Sequence, residues 1–142
     1  MQQPLYILLV EDDEDDIAFF NLALDKQTVP TRLTTLTKGS EVLPYLETTT
    51  ERPDLMILDM NLPRLHGRDV LVQTKKSPVG RDLPVFILTT SSAQGDADFC
   101  LANGAEQFMT KPTSLAELSG MLADVLRTTR HREPSQRPAL NE

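Results

Sequence analysis

The stretch Leu5-Tyr6-Ile7-Leu8-Leu9-Val10-Glu11-Asp12-Asp13-Glu14-Asp15-Asp16 runs an apolar segment directly into six consecutive carboxylates. A short apolar run bounded by charge reads as a buried strand, and its end sets several like charges at one edge of a sheet. Two unit charges about 4 Å apart repel by roughly 4 kcal/mol at an effective dielectric near 20. Carboxylates converging there must hold each other's protons or bind a cation. A second acid closing a second buried strand would turn that edge into a site. Asp59 meets the requirement: it ends the run Leu55-Met56-Ile57-Leu58 and precedes the turn Met60-Asn61-Leu62-Pro63.

Outward from these two strands, β-type runs alternate with helical patterns. The acids give way to a helix with Ile17, Phe20 and Leu24 on one stripe. Asp13 suits its N-cap, and further acids in the first turn suit the positive end of the helix dipole. Arg32 to Leu36 is a polar, Thr-rich second strand, expected at the sheet edge. Gly39-Ser40 opens a helix from Glu41 to about Glu47, with Pro44 near its first turn. The third strand, Asp54 to Leu58, is continuously apolar after its entry residue, as in the centre of a parallel sheet covered on both faces. Gly67 leads a helix to about Lys76, a loop from Ser77 to Asp82 follows, and Pro84 to Thr89 is the fourth strand. A helix from about Gln94 to Ala102 stops at Asn103-Gly104, where glycine accepts the left-handed conformation. Gln107 to Thr110 is the fifth strand, and Ser114 caps a last helix from Leu115 to about Arg127.

The order βαβαβαβαβα predicts a parallel sheet with helices on both faces. Right-handed crossovers favour the doubly wound, flavodoxin-like (βα)5 sandwich with strand order 2-1-3-4-5. Ligands in such sheets bind outside the carboxyl ends of the strands, at the switch point between strands 1 and 3. Glu11, Asp12 and Asp59 lie there. The chain of 142 residues suits one domain over residues 1–128. Residues 129–142, with two prolines and no apolar periodicity, read as a mobile tail.

A formal charge of −7 disfavours nucleic acid, which is held by clustered Lys and Arg. A single cysteine, Cys100, excludes an internal disulfide and a multi-thiolate zinc site. No segment approaches the roughly 20 apolar residues of a membrane span, and no signal peptide stands at the start. The expectation is a cytoplasmic protein.

Thr89 after strand 4, Lys111 after strand 5 and Asn61 two positions beyond Asp59 face the same edge. Four motifs now stand in order at strand ends: Val10-Glu11-Asp12-Asp13, Leu58-Asp59-Met60-Asn61-Leu62-Pro63 with Gly67, Leu88-Thr89-Thr90-Ser91, and Thr110-Lys111-Pro112. Together they resemble the receiver domains of two-component response regulators over roughly residues 4 to 128. Thr90-Ser91 and the loop before strand 4 are most similar to the stand-alone regulators paired with phytochromes and related hybrid sensors. Thr113 departs from the apolar residue many receivers carry after the Lys-Pro pair.

The resemblance implies that Asp59 is the phosphoacceptor for a sensor histidine kinase or a histidine phosphotransfer protein. It implies that Glu11, Asp12, Asp59 and the backbone carbonyl of Asn61 hold Mg2+. Such an all-oxygen set suits magnesium. Lys111 would pair with the phosphoryl oxygens, and Thr89 would donate to them and move inward while Phe108 fills the vacated space. Asp59, Lys111 and Thr89 would thereby carry self-catalysed gain and loss of phosphate, without turnover of a diffusible substrate. By the same analogy Lys111-Pro112 is a cis peptide.

Glu14, Asp15 and Asp16 read as a solvated helix start, His66 and His131 as solvated side chains, and Asp54 as a strand-entry residue. Phe19 and Leu22 read as packing against the last helix, with a kinase-docking patch as the alternative. Phe99 and Cys100 raise a homodimer or output face in the same way. A pseudo-receiver, a phosphorylation-independent interaction module, is the competing function, although it would be expected to lack Asp59, Asp12 or Lys111. A phosphohydrolase of the haloacid-dehalogenase type needs a second acid two residues after its nucleophile, where this chain has Asn61.

Overall fold

A computed structural model describes residues 3–90 and 94–130. Its elements follow the sequence pattern closely: β1 (Leu5–Val10), α1 (Glu14–Asp25), β2 (Thr31–Leu36), α2 (Val42–Thr48) after a 3-10 turn at Gly39–Glu41, β3 (Leu55–Leu58), α3 (Gly67–Lys76), β4 (Val85–Thr89), α4 (Gln94–Ala102), β5 (Gln107–Thr110) and α5 (Leu115–Arg130). The five strands form one parallel sheet in the order β2-β1-β3-β4-β5. β3 is central and wholly buried, and Thr-rich β2 lies at the edge, half-buried along most of its length.

Alternation along the strands splits the apolar residues between two faces. Leu5, Ile7, Leu9 and Ile57 point to the face covered by α1 and α5, where Phe20, Leu118 and Leu122 meet them. Leu8, Val10, Met56 and Leu58 point to the face covered by α2, α3 and α4, against Val42, Leu46 and Leu71. Every β1 residue is therefore buried, as a strand roofed on both sides must be.

Several local expectations change. α5 runs on through Thr129 and Arg130, two residues into the segment read as a tail. Thr129 is fully buried and its hydroxyl donates to the Val125 carbonyl at 3.0 Å. This backbone-directed hydroxyl lets a polar residue close a helix against the core. The rest of that segment, with His131, lies outside the described residues, as does Ser91. No cis peptide occurs among the described residues, so Lys111–Pro112 is trans, the form most X–Pro bonds take. Asp54 is more than a strand entry: it is buried, and its Oδ2 accepts the Tyr6 N–H at 2.9 Å, tying the starts of β1 and β3 together. His66 is the N-cap of α3, its Nδ1 accepting from the Arg68 N–H at 3.1 Å. Cys100 is fully buried among the core residues between the sheet and α2–α4, and so presents no surface for a dimer.

Candidate functional site

The site is built by continuing the strand ladder one residue past each strand. Glu11 donates its N–H to the Leu36 carbonyl at 3.0 Å, Asp59 to the Val10 carbonyl at 3.1 Å, and Lys111 to the Thr89 carbonyl at 2.8 Å. Parallel strands thus deliver two acids and one cation to one edge on hydrogen-bonded backbone. Beyond Asp59 the chain turns against α3, where Gly67 leaves no room for a side chain. A Cβ there would lie 2.4 Å from the Asp59 carbonyl oxygen and 2.6 Å from Met60 Cα. On the opposite side Asp13 caps α1, its Oδ1 accepting the Asp16 N–H at 3.0 Å.

Carboxylate oxygens of Glu11, Asp12 and Asp59 come within 4.8 Å of one another. Glu11 and Asp59 are buried and Asp12 is exposed, so the cluster opens to solvent on one side. Three hard oxygen donors with an open side fit a divalent cation that keeps some of its waters. The Lys111 ammonium lies 2.6 Å from Glu11 Oε1, 2.7 Å from Asp16 Oδ2 and 3.3 Å from Asp59 Oδ2. Burial pushes the Glu11 carboxyl up to about 7; the Lys111 hydrogen bond opposes this and the charge of Asp59 adds to it. For Lys111 burial pulls the ammonium down, but the carboxylates of Asp16, Glu11 and Asp59 outweigh it and hold the group charged well above its ordinary value.

Thr89 is fully buried at the end of β4. The Asn61 amide joins it to the site, donating from Nδ2 to Thr90 Oγ1 at 3.1 Å and to Thr89 Oγ1 at 3.4 Å, while Asn61 N–H reaches Asp59 Oδ1 at 3.3 Å. Phe108 sits on β5 opposite Ile87 and packs half-buried against the core on the α2–α4 side. The fold thus gathers Glu11, Asp12, Asp59, Asn61, Thr89 and Lys111 at one edge, with Phe108 on β5 three residues before Lys111. Asp16, read as a solvated acid, is a direct partner of Lys111. The signal available was its place at the third helical position after the Asp13 cap, which fixes its turn but not what lies across from it. Phe19 packs half-buried against the core that includes α5, whereas Leu22 is 53% exposed.

Residues 7–123 match the profile of the response regulator receiver domain family. The chain is similar to response regulator Rcp1 from Synechocystis sp., with 32% identity over 127 residues that cover 86% of each protein. Among solved structures, the phosphorylated cyanobacterial phytochrome response regulator RcpA superposes with a TM-score of 0.84 at 30% identity, covering 96% of this chain and 100% of RcpA. A Mn(2+)-bound form of Rcp1 superposes with a TM-score of 0.81 at 30% identity, covering 96% of this chain and all of that one. The receiver domain of a sensor histidine kinase from Pseudomonas aeruginosa, with magnesium in its active-site cleft, gives 0.70 at 29% identity, covering 86% of this chain and 97% of that domain.

Proposed function

The chain belongs to the response regulator receiver domain family, and from that membership we propose that it acts as a stand-alone regulator that accepts a phosphoryl group on Asp59 from a sensor histidine kinase. The observation that carries this reading is the meeting of the Asp59 carboxylate with two further acids and one ammonium at the sheet's carboxyl edge. A phosphorylation-independent module would have no use for that costly convergence of charge.

In the step itself an Asp59 Oδ attacks the phosphorus of a phosphohistidine. An O–P bond forms as the P–N bond breaks, and its electron pair stays on the departing imidazole nitrogen. Glu11, Asp12 and Asp59 would hold Mg2+ with the Asn61 carbonyl; the bound ion would spread the charge of the transferring group. Lys111 supplies a fixed positive charge at the same place without losing its proton. Thr89, the last residue of buried β4, offers a hydroxyl to the new acceptor. Phe108 on the neighbouring strand then takes up the space the hydroxyl leaves, biasing a two-state surface as population shift requires. The same residues would support self-catalysed loss of phosphate. The kinship with RcpA and Rcp1 favours a phytochrome-type kinase as donor, and the chain's net negative charge favours a protein output over nucleic acid.

Intact mass after incubation with magnesium and a small acyl phosphate tests the reading. The parent is expected to gain one phosphoryl group, and to gain none without magnesium or as Asp59→Asn. An unmodified parent that also fails to bind magnesium would establish the pseudo-receiver instead.

A further inference from the structure

The Lys111 ammonium is engaged three times. It carries three N–H donors and no acceptor, and three carboxylates take them: Glu11 at 2.6 Å, Asp16 at 2.7 Å and Asp59 at 3.3 Å. A phosphoryl group on Asp59 replaces that carboxylate's 3.3 Å contact with acceptor oxygens set further from the Asp59 backbone, and Lys111 can follow them only by loosening its hold on Glu11 or Asp16. Glu11 is a poor candidate, because its backbone is held in the ladder and its other oxygen accepts the Asp13 N–H at 3.2 Å. Asp16 lies outside the triad of Glu11, Asp12 and Asp59. It stands on the first turn of α1, its side chain 38% exposed against 5% for Glu11 and 6% for Asp59. Water can therefore solvate Asp16 as the ammonium leaves, which it cannot do for the other two. A cavity of about 30 Å³, walled by Glu11, Asp16, Asp59 and Lys111 on one side and by core residues such as Phe20 and Leu118 on the other, adjoins the ammonium.

We propose, on the basis of the receiver reading above, that Asp16 is a positioning residue for Lys111: it holds the ammonium in the unphosphorylated protein and yields it when Asp59 carries a phosphoryl group. Asp16 competes with the phosphoryl oxygens for one N–H, so it sets how readily the phosphorylated arrangement forms. The exchange also unties the first turn of α1 from the loop after β5, giving phosphorylation a route to the α1 surface that does not pass through Thr89 and Phe108.

The test compares the parent with Asp16→Asn and Asp15→Asn, the latter removing the same charge from an exposed neighbour in the same helical turn. In metal-free protein labelled at the lysine Nζ atoms, the Lys111 ammonium resonance is expected to move in Asp16→Asn and to stay in place in Asp15→Asn. With magnesium and beryllofluoride, a mimic of the acyl phosphate, the parent and Asp16→Asn resonances are expected to coincide. Asp16→Asn should bind beryllofluoride about two- to fivefold more tightly than Asp15→Asn does, the upper part of the range for losing one partly solvated ion pair. A Lys111 resonance indifferent to Asp16→Asn would overturn the proposal. So would a difference that persists in the beryllofluoride complex, or an equal gain in Asp15→Asn. Failure of the parent to bind beryllofluoride would sink the receiver reading and this proposal together, whereas binding by the parent with any of the preceding results would sink this proposal alone.

Discussion

Glu11 concentrates the conflict of the site in one side chain: it is buried, close to the charge of Asp59, and held by one ammonium and the Asp13 N–H. Its carboxyl is pushed from 4.5 up to about 7, by burial first. A carboxyl whose pKa is raised in the folded state favours folding while protonated. Its contribution is complete below 4.5 and is lost as pH rises through about 7. A divalent cation reverses the balance, since it binds the ionised form and replaces the proton. The rise in Tm produced by a fixed magnesium concentration should therefore be larger at pH 7.5 than at pH 5.5, and an equal rise at both would show that Glu11 is not protonated in the cation-free protein. The acids at strand ends, Asp59 above all, were legible in the sequence because a charge that stops an apolar run has one structural meaning. Asp16, Asp54 and His66 were not, because each acts through a partner or a local turn that spacing does not reveal. Asp16 meets a lysine 95 residues away, and Asp54 accepts from a backbone amide 48 residues away.

The elements themselves were read closely, and the one boundary missed by several residues shows why. Runs such as Leu55 to Leu58 are bracketed by polar or turn residues, so their ends declare themselves. α5 ends in Arg127-Thr128-Thr129-Arg130, whose composition suggests exit into solvent while the packing keeps Thr129 buried. The junctions between elements carry the function. At the entry to α3, a methyl added at Gly67 would collide with the backbone of Asp59 and Met60 as well as with the Met60 side chain, and the backbone cannot rotate away. Gly67→Ala is expected to cost about 1–3 kcal/mol in urea unfolding and to slow phosphorylation of Asp59, whose carbonyl it displaces. At the entry to α5, Ser114 Oγ accepts the Glu117 N–H at 3.1 Å. Ser114→Ala should cost about 1 kcal/mol and leave phosphorylation unchanged. Similar losses of phosphorylation in both variants would show that the Gly67 effect is one of general stability.

At the scale of the whole molecule, one sheet separates two apolar layers that share no side chains, yet both layers rest on the same strands. Leu122 fills the layer under α1 and α5, and Leu71 the one under α2 to α4. Leu122→Ala and Leu71→Ala should each cost about 2–5 kcal/mol. Because β1 and β3 contribute to both layers, each change should shift a single unfolding transition rather than detach one layer. Far-ultraviolet circular dichroism and the fluorescence of Tyr6 and Tyr45 should report the same midpoint, and diverging midpoints would mean that the faces unfold separately. The ladder that delivers the site also imposes an order in time. Glu11, Asp16 and Asp59 are all made before Lys111, and the ammonium reaches them only when β5 closes beside β4. Long-range parallel pairing of this kind is slow, and if β1 and β3 pair before β5 docks, a refolding chain passes through an interval in which its acids share an edge without their lysine. Divalent ions in the surrounding solution can neutralise the acids during that interval, so magnesium should speed refolding as well as stabilise the finished protein, whereas a gain confined to slower unfolding would mean that the acids come together only after the last strand is in place.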